Sequence, residues 1–482
     1  MISPPLENKP DISLKGKRIF IELQDTLLPN TTYTISFGTS ITDYTEGNEN
    51  RNFKYVFSTG TFIDSLSVQG RVYDAYTTDP DKSLIVALYE VNSDTLDLDS
   101  LPYKKLPTYY SYLDEGGAFR MENLKSSRFI LLAFDDQRGD FKLNGSGEKI
   151  AFNDSLIFTS DSLKPFVLRS FKSEPSYKFY SARHSAFGQI AFNFSRPVPD
   201  IQIERFQKTV DPDSVYLDFN LKKDTLTYWF KEKADSMSFL VSGYEGINDT
   251  ASLFLREFQR PKLKLNVEQT ELRTQDSLIL KSNIPLLTVN ADSFMVFGAK
   301  DTFATKAFIS DKDPFMVYLL PSKRPKDLKV KMMTGAVKGW FTTTNDSANW
   351  SFTSLSGDDL GNLDFSVKGD SSKSYVLEIY DPAKKKVLEK KFKGSTSVKL
   401  RGYKPGRYEA QMVVDKNNDG RWTSGDYKER RQPETILKYS EGIEIRANWD
   451  LELEWLVKPQ SEIDPGPSGK KSAPLKPVQR PF

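Results

Sequence analysis

Short runs of apolar and β-branched residues recur along the chain, and Asp, Asn, Gly, Pro and Ser separate them at roughly 8–12-residue intervals. Clear examples are RIFIEL, TYTISF, SLIVALYEV, RFILLAF, QIAFNFS, SYVLEIYD and RYEAQMVVD. Runs of this length predict short β-strands, and no stretch has the period of an amphipathic helix longer than about three turns. The pattern therefore predicts an all-β fold, built as an array of antiparallel β-sandwich modules.

Two longer patterns each occur twice. The stretch at residues 27–60 has a weaker copy at residues 318–354. In the second pattern, NLKSSRFILLAFDDQRGD aligns with GYKPGRYEAQMVVDKNND, so an Asp-rich loop follows an apolar strand in both copies. An internal repeat of this kind predicts a chain of related modules.

Composition excludes several classes of protein. Lys and Arg number 67 against 65 Asp and Glu, so the chain lacks the basic stripe that nucleic-acid binding requires, and no nucleic-acid partner is expected. There is no cysteine, which excludes disulfides, thiol catalysis and Cys-based metal sites. The single histidine, His184, lies in YSARHSAFG, which is typical of a surface or packing residue because proton shuttles need placed partners.

No targeting or membrane segment is visible in the chain. The N-terminal stretch MISPPLENKPDISLKGKRIF lacks the basic start and apolar run of a signal peptide. No apolar run approaches the ~18–20 residues of a membrane helix, so no transmembrane segment is expected.

The stretch VVDKNNDGRWTSGDY, residues 413–427, has the spacing of a calcium-binding loop, with Asp in place of the usual Glu at position 12. Ca²⁺ prefers about six to eight oxygen ligands, and alternate residues of a tight loop point inward. A strand before the loop and a Pro-containing segment after it exclude an EF-hand. The spacing predicts a structural Ca²⁺ site formed by four side chains and one backbone carbonyl: Asp415, Asn417, Asp419 and Asp426, with the carbonyl of Arg421.

The alternative for this loop is a long polar turn without metal. Asn and Asp form Asx-turns, and Asp419-Gly420 is a turn dipeptide. The aligned loop at residues 136–148 has Arg138 where position 3 needs an oxygen, and its acid stands one place late. We therefore expect a turn rather than a metal site in the aligned loop.

Asp followed by Ser or Thr and then an apolar residue occurs more often than the roughly two or three times that ordinary composition gives. One explanation is a turn Asp followed by a residue that opens a strand. The triplet also resembles the O-glycosylation acceptor motif of Bacteroidota, which implies modification of some sites, and the two explanations are compatible. The triplets begin at Asp25, Asp64, Asp94, Asp99, Asp154, Asp161, Asp213, Asp224, Asp235, Asp249, Asp276 and Asp346.

Catalytic motifs are missing from the sequence. It contains no nucleophile elbow, Walker loop, HExxH or dinucleotide-binding glycine motif, so we expect no enzyme activity. The acidic pairs Asp135-Asp136 and Asp358-Asp359 are ordinary loop acids. The six tryptophans are typical of sandwich cores, with a sugar-binding platform as the alternative.

The segment LPNTTYTISFGTSITDYTEGN…FKYVFSTG, followed by DSLSVQGRVYDA, resembles the bacterial Ig-like domain family named after an S-layer protein. GRYEAQMVVDKNNDGRWTSGDYKERRQPETI resembles the end of Bacteroidota cell-envelope lipoproteins that open with this domain. The resemblance, together with the linker-like stretches REFQRPKLKL and SLSGDDLGNL, predicts five modules: a partial bacterial Ig-like domain (1–61), a prealbumin-like (carboxypeptidase regulatory-like) sandwich (62–168), a sandwich of uncertain type (169–262), an Ig-like sandwich (263–355) and a second prealbumin-like sandwich with the Asp-rich loop (356–457). The tail (458–482) is rich in Pro, Gly, Lys and Ser, so we expect it to be disordered.

The sequence departs from that family in two places. Members begin with a signal peptide, a lipobox cysteine and the first strands of the Ig-like domain, whereas this chain opens in the middle of the domain. We therefore expect a misassigned or truncated start, a membrane anchor supplied by the missing part, and an exposed sheet edge in the first domain. The family also tends to have Asp after the loop Trp, where this chain has Thr423, which removes one anionic oxygen from the metal site.

Together these expectations describe a non-enzymatic, multi-domain protein of the cell envelope, in the periplasm or at the outer-membrane surface. Its β-sandwich modules would form a rod and act as a scaffold or interaction module for envelope or outer-membrane proteins. The alternative is a carbohydrate-binding or glycan-processing surface protein that uses aromatic side chains.

Overall fold

The computed structural model describes residues 2–457 except for 17, 38–40, 42–52, 93–98, 146, 161–162, 199, 207–210, 212–213, 221, 244–245 and 274–275. The segment 458–482, which we expect to be disordered, lies outside the described residues. Within them almost all regular structure is β, in many mostly antiparallel sheets, which confirms the all-β prediction.

The first module is small. Its sheet has three strands in the order β1-β4-β5, and β2 and β3 form a separate hairpin. Tyr33 and Ile35 alternate inward from β4 and pack with Ile2, whereas Ile12 and Leu14 on the hairpin are 65% and 75% exposed. The five strands are β1 (Ile2–Ser3), β2 (Asp11–Lys15), β3 (Arg18–Glu22), β4 (Thr32–Ser36) and β5 (Lys54–Ser58).

The second module forms one large sheet of eight strands, beside which lies a four-residue α-helix. Its elements are β6 (Leu66–Asp74), β7 (Ile85–Glu90), α1 (Leu101–Lys104), β8 (Tyr109–Tyr112), β9 (Ala118–Leu124), β10 (Arg128–Phe134), β11 (Lys149–Phe152), β12 (Ile157–Phe158) and β13 (Phe166–Lys172). The strand order is β8-β7-β10-β11-β13-β6-β9, and β12 pairs with β10. The expected boundary at residue 168 lies inside β13, so this module extends to Lys172.

Strands β7 and β10 are buried on both faces. Val86 and Leu88 of β7 point into one core, and Ile85 and Tyr89 point into a second core on the other face. Burial on both faces explains why these strands are continuous apolar runs rather than alternating ones. The second core also contains Tyr427, so a distant part of the chain covers this face of the sheet.

The third module is a sandwich of two sheets, with the orders β14-β15-β18-β17 and β16-β19-β20. Phe192 and Tyr228 of one sheet pack edge to face against Phe239 of the other. The strands are β14 (Phe179–Ala186), β15 (Gln189–Phe194), β16 (Ile201–Arg205), β17 (Val215–Phe219), β18 (Thr225–Phe230), β19 (Ser236–Gly243) and β20 (Asn248–Phe254).

The fourth module has three sheets, with the orders β21-β23-β28-β27, β22-β32-β29-β25-β26 and β24-β30-β31. Its strands are β21 (Leu265–Val267), β22 (Glu271–Arg273), β23 (Leu278–Ser282), β24 (Leu286–Val289), β25 (Phe294–Phe297), β26 (Thr302–Phe303), β27 (Thr305–Ile309), β28 (Met316–Pro321), β29 (Asp327–Met332), β30 (Val337–Gly339), β31 (Thr343–Thr344) and β32 (Ala348–Leu355). Trp229 of the third module lies in the core of the fourth module and packs on Phe315, so the two modules share apolar surface.

The fifth module has the sheets β36-β33-β40 and β35-β34-β37-β38, with β39 paired to β37. Its strands are β33 (Gly361–Lys368), β34 (Ser374–Tyr380), β35 (Lys386–Lys393), β36 (Ser395–Tyr403), β37 (Gly406–Asp415), β38 (Thr435–Lys438), β39 (Ile443–Ile445) and β40 (Asp450–Leu456). It meets the fourth module where Arg273 lies 4.9 Å from the Tyr403 ring and Lys404 pairs with Glu271.

The second and fifth modules share most of their strand pairings, although β11 also pairs with β13 and joins the strands of the second module into one sheet. In both, the first strand pairs with the fourth and with the eighth, the second pairs with the third and the fifth, and the fifth pairs with the sixth and the seventh. β10 and β37 therefore hold equivalent positions, as the alignment of their sequences predicts. In each module the first and last strands run parallel, β6 beside β13 and β33 beside β40.

Candidate functional site

The Asp-rich loop connects two neighbouring strands of the fifth module. β37 ends at Asp415, β38 begins at Thr435, and Val414 pairs with Thr435. Continued by one residue, this antiparallel register places Asp415 opposite Glu434, with both side chains on the same face of the sheet. The two acidic residues are only 7% and 4% exposed, so two carboxylates are buried at the mouth of the loop.

The first half of the loop is a series of tight turns closed by side-chain oxygens. Asp415 Oδ2 accepts a hydrogen bond from the Gly420 amide at 2.9 Å, Asn417 Oδ1 accepts from the Asp419 amide at 3.1 Å, and Asp419 Oδ1 accepts from the Arg421 amide at 2.9 Å. Gly420 has φ = 74°, a conformation that glycine adopts without steric cost. Asx-turns of this type are what the spacing of Asn and Asp predicts.

Glu434, which the sequence reasoning missed, organises the rest of the loop. Its Oε1 accepts from the Lys416 amide at 2.6 Å and its Oε2 from the Thr423 amide at 3.0 Å, while Trp422 Nε1 donates to its backbone oxygen at 2.9 Å. Burial raises the pKa of the Glu434 carboxyl, the backbone donors lower it, and the nearby Asp415 raises it, with a net increase. The charge of Asp415 therefore contributes to the raised pKa of Glu434.

Asp426, the last residue of the calcium pattern, has its carboxylate bonded in the turn that follows it. Asp426 Oδ1 accepts from the amides of Lys428 and Glu429 at 2.9 and 3.1 Å, so its carboxylate caps the following turn. The Arg421 side chain donates to Asp419 Oδ2 at 3.0 Å.

Within the described part of the chain, no group of three or more acidic or histidine side chains has a geometry that could hold a metal ion. The Ca²⁺ site expected from spacing stays a prediction. The structure opposes Asp415 to Glu434, whereas the carboxylate of Asp426 is engaged in its own turn.

The equivalent loop in the second module opposes the same kinds of residue. There Phe134 pairs with Ile150, and continuing this register by two residues places Asp136, which aligns with Asp415, opposite Glu148. Glu148 is 7% exposed and accepts from the Asn144 amide at 2.7 Å. Asp136 uses both carboxylate oxygens as a plain turn requires, accepting from the Asp140 amide at 3.0 Å and from the Phe141 amide at 3.1 Å.

The second half of the Asp-rich loop attaches the fifth module to the second. Ser424 donates from Oγ to the Lys172 carbonyl at 2.6 Å, and Gln432 donates to the Phe152 carbonyl at 2.9 Å. Tyr427 is 2% exposed and lies in the second core of that module, with its ring centroid 5.4 Å from the Phe152 ring. We call this contact the module joint, defined by residues 422–432 and the face of the second module that they cover.

A polar cluster extends the module joint on the fifth module's sheet. Glu378, only 6% exposed, accepts from Tyr380 Oη at 2.9 Å, from Gln411 Nε2 at 2.8 Å and from Lys386 Nζ at 2.9 Å. Tyr76 of the second module reaches this cluster, with its hydroxyl 3.3 Å from Glu378 Oε2, and packs edge to face on Trp422 at 5.2 Å. The buried carboxylate is fully partnered, as stability requires.

The direct contact between the second and fifth modules differs from a straight rod, in which each module touches only its neighbours in sequence. Sequence signals for it existed, because the continuous apolar runs in β7, β10 and the end of β37 require a cover on their second faces. The sequence did not identify that cover as the Asp-rich loop.

Other residues considered as functional have structural roles. His184 accepts the Arg256 amide at Nδ1, 2.9 Å away, and packs edge to face on Phe258 at 4.8 Å. All six tryptophans are buried or half-buried, so no Trp platform is exposed to solvent. Asp359 caps the amide of Ser356 at 2.9 Å, in the turn after β32.

Sequence comparison identifies the first module. Residues 1–59 match the model of the bacterial Ig-like domain family, which confirms the Ig-like expectation for the N-terminal segment. No curated protein matches the chain in sequence. No helix among the described residues is long and apolar enough to span a membrane.

Structural comparison finds other multi-domain β proteins at low similarity. BcpA, the major pilin subunit of Bacillus cereus, is 8% identical over 82% of this chain and 99% of its own, with a TM-score of 0.17. The adhesin FdeC of Escherichia coli is 9% identical over 68% and 94%, with a TM-score of 0.16. An alpha-2-macroglobulin fragment from Escherichia coli is 10% identical over 55% and 97%, with a TM-score of 0.19. At these TM-scores the overlaps carry no argument about function.

Proposed function

We propose that this chain is a non-enzymatic scaffold of a bacterial cell envelope, in which joined β-sandwich modules hold binding surfaces for envelope or outer-membrane proteins in a fixed arrangement. The module joint is the observation that carries the proposal. It fixes the start of the segment 173–355 relative to its end, because the modules on either side of that segment are in direct contact. The third and fourth modules within it share the core around Trp229.

The bonding of the buried acids supports a binding role over a reaction. The best-buried carboxylates of the fifth module, Glu378 and Glu434, accept hydrogen bonds from neighbouring groups of the fold itself. A catalytic acid or base instead needs a proton-accepting geometry toward a substrate. The tryptophans, which are all buried or half-buried, give no support to the carbohydrate-binding alternative.

The finer assignment follows the family resemblance. We propose a lipoprotein of a Bacteroidota envelope, in the periplasm or on the outer-membrane surface, with O-glycans on some Asp-Ser/Thr triplets. Six acceptor hydroxyl residues in these triplets are exposed in the structure, which glycosylation requires: Thr26, Ser65, Ser155, Ser236, Thr250 and Ser347. The triplets at Asp94, Asp161 and Asp213 include residues outside the described part of the chain.

A pull-down with the full chain as bait tests the scaffold function. Envelope membranes of the source bacterium should yield the same outer-membrane protein with the wild type and with Gly147→Ala, a distant control, and less of it with Gly425→Ala, which disturbs the module joint. Recovery no greater than with bare beads would refute the scaffold function. Selective retention on a glycan array would favour the carbohydrate-binding alternative.

A further inference from the structure

The mouth of the Asp-rich loop contains an uncompensated negative charge. Asp415 and Glu434 stand opposite each other one residue beyond the Val414–Thr435 pair of β37 and β38, and like charges opposite each other destabilise a sheet. Both residues are more than nine-tenths buried, so water does not screen the repulsion effectively.

One oxygen of this pair has no partner. Asp415 Oδ2 accepts the Gly420 amide, but Asp415 Oδ1 is buried and has no hydrogen-bond partner among the described residues. Leaving a buried charged oxygen without a hydrogen-bond partner costs more free energy than leaving a neutral group without one. The carboxylate that carries this oxygen lies opposite Glu434 in the register of β37 and β38, on the same face of the sheet.

The cations of the chain near the loop do not fill this role. Arg421 Nε pairs with Asp419 Oδ2 at 3.0 Å, and the Lys391 ammonium lies beside Gly420, yet Asp415 Oδ1 stays without a partner among the described residues. In the equivalent loop of the second module, the two oxygens of Asp136 accept the amides of Asp140 and Phe141. The fifth module leaves Asp415 Oδ1 without a partner among the described residues, which calls for a cation from outside the chain.

The donor set determines the class of cation. Every side-chain donor offered by the loop is an oxygen, and the charges are carboxylates, which suit a hard divalent ion such as Ca²⁺. We propose that a Ca²⁺-type cation binds between the carboxylates of Asp415 and Glu434, and that Glu434 rather than Asp426 is the second acidic ligand.

The cation site deepens the proposed function and rests on it through the module joint. Trp422 and Ser424, which belong to the joint, follow directly in the same loop. A bound cation would remove the repulsion at the root of the loop and so stabilise the contact that the loop makes with the second module. Cation binding and module contact are nevertheless separate measurements.

Binding is tested on the full chain after treatment with a chelating resin, with Ca²⁺ alone by calorimetry and Tb³⁺ alone by luminescence. Excitation of Trp422 should sensitise Tb³⁺ emission, since its indole donates to the Glu434 carbonyl at 2.9 Å. Even an outer-shell partner is worth about 10–100-fold in metal affinity, so Asp415→Asn and Glu434→Gln should each weaken binding at least about tenfold. The side-chain amide introduced by Asp415→Asn still offers an oxygen acceptor to the Gly420 amide, so this variant keeps the turn.

Asp426→Asn is the matched control, because the calcium spacing pattern requires this residue and the structure does not. Unchanged affinity in Asp426→Asn together with the loss in Asp415→Asn supports the assignment. No Ca²⁺ or Tb³⁺ binding by the wild type, or a loss in Asp426→Asn as large as in Asp415→Asn, overturns it. Hydrogen exchange separates the two proposals. If the wild type binds no cation but its Phe171 region is protected from exchange, the cation site alone is refuted. If that region is not protected in the wild type, the module joint is refuted.

Discussion

Replacing Gly425 with alanine measures how tightly the Asp-rich loop is fitted to the second module. A Cβ at Gly425 would lie 2.5 Å from the nearest carbon of the Phe171 ring. Carbon atoms in contact prefer about 3.5–4.0 Å, so the ring or the loop must move by about 1 Å. Phe171 is 2% exposed and sits in the second core, so it has no free space into which to turn.

The loss of stability expected in Gly425→Ala follows from overpacking. Inserting a methyl group into a closely packed contact destabilises a protein by about 1–3 kcal/mol. The joined modules together contain about 200 residues, for which 1 kcal/mol corresponds to about 2–4 °C in Tm. Gly425→Ala should therefore lower the Tm of the joined modules by about 2–12 °C.

Differential scanning calorimetry on the full chain measures this effect, with Gly147→Ala as the control. Nothing lies within 4 Å of a Cβ built at Gly147, in the equivalent loop of the second module, so its stability should change by no more than about 0.5 kcal/mol. If Gly425→Ala unfolds at the same temperature as Gly147→Ala, the close packing against Phe171 is refuted.

Two further predictions concern polar groups inside the second module and its neighbour. The Tyr89 hydroxyl is buried without a partner among the described residues, and burial raises its pKa. In urea denaturation, Tyr89→Phe should therefore be as stable as the wild type or up to about 1 kcal/mol more stable. Tyr33→Phe is the contrasting variant and should be less stable than the wild type, because it loses a 2.9 Å hydrogen bond from the Leu28 amide. Burial raises the pKa of Asp74 and Asp81, but the 2.7 and 3.0 Å contacts of Lys149 and other hydrogen bonds outweigh it and leave both lowered. Carboxylates of lowered pKa stabilise above about pH 4 and lose that effect as the pH falls through the lowered value, so the Tm advantage of the wild type over Lys149→Gln should be larger near pH 7 than near pH 2. An equal advantage at both pH values would contradict this.

The sequence was most informative about strands and least informative about which strands cover each other. The alignment of RFILLAFDDQRGD with RYEAQMVVDKNND identified β10 and β37 as equivalent because hydrophobic spacing and turn residues are local properties. The module joint depends on residues more than 250 positions apart, such as Ser424 and Lys172, which are 252 apart in sequence. Local patterns carry no information on such a distance.

The Asp-rich loop shows the same limit at the level of single residues. The spacing of Asp415, Asn417 and Asp419 predicted the turns correctly, since each closes a bond within a few residues. Glu434 was missed because its place opposite Asp415 follows from strand register across a long loop. Asp426 was included because the calcium pattern counts positions along one continuous loop, and here the following turn uses its carboxylate.

The parallel pairing of first and last strands gives each repeated module a defined response to tension. The chain enters β6 and leaves β13 at opposite ends of the module, and the same holds for β33 and β40. A force that pulls these ends apart loads all hydrogen bonds between the two strands together, in shear, instead of opening them one by one. Five residue pairs bear this load in the second module and seven in the fifth. Of these two modules, the second therefore has fewer residue pairs to resist a pull along the chain.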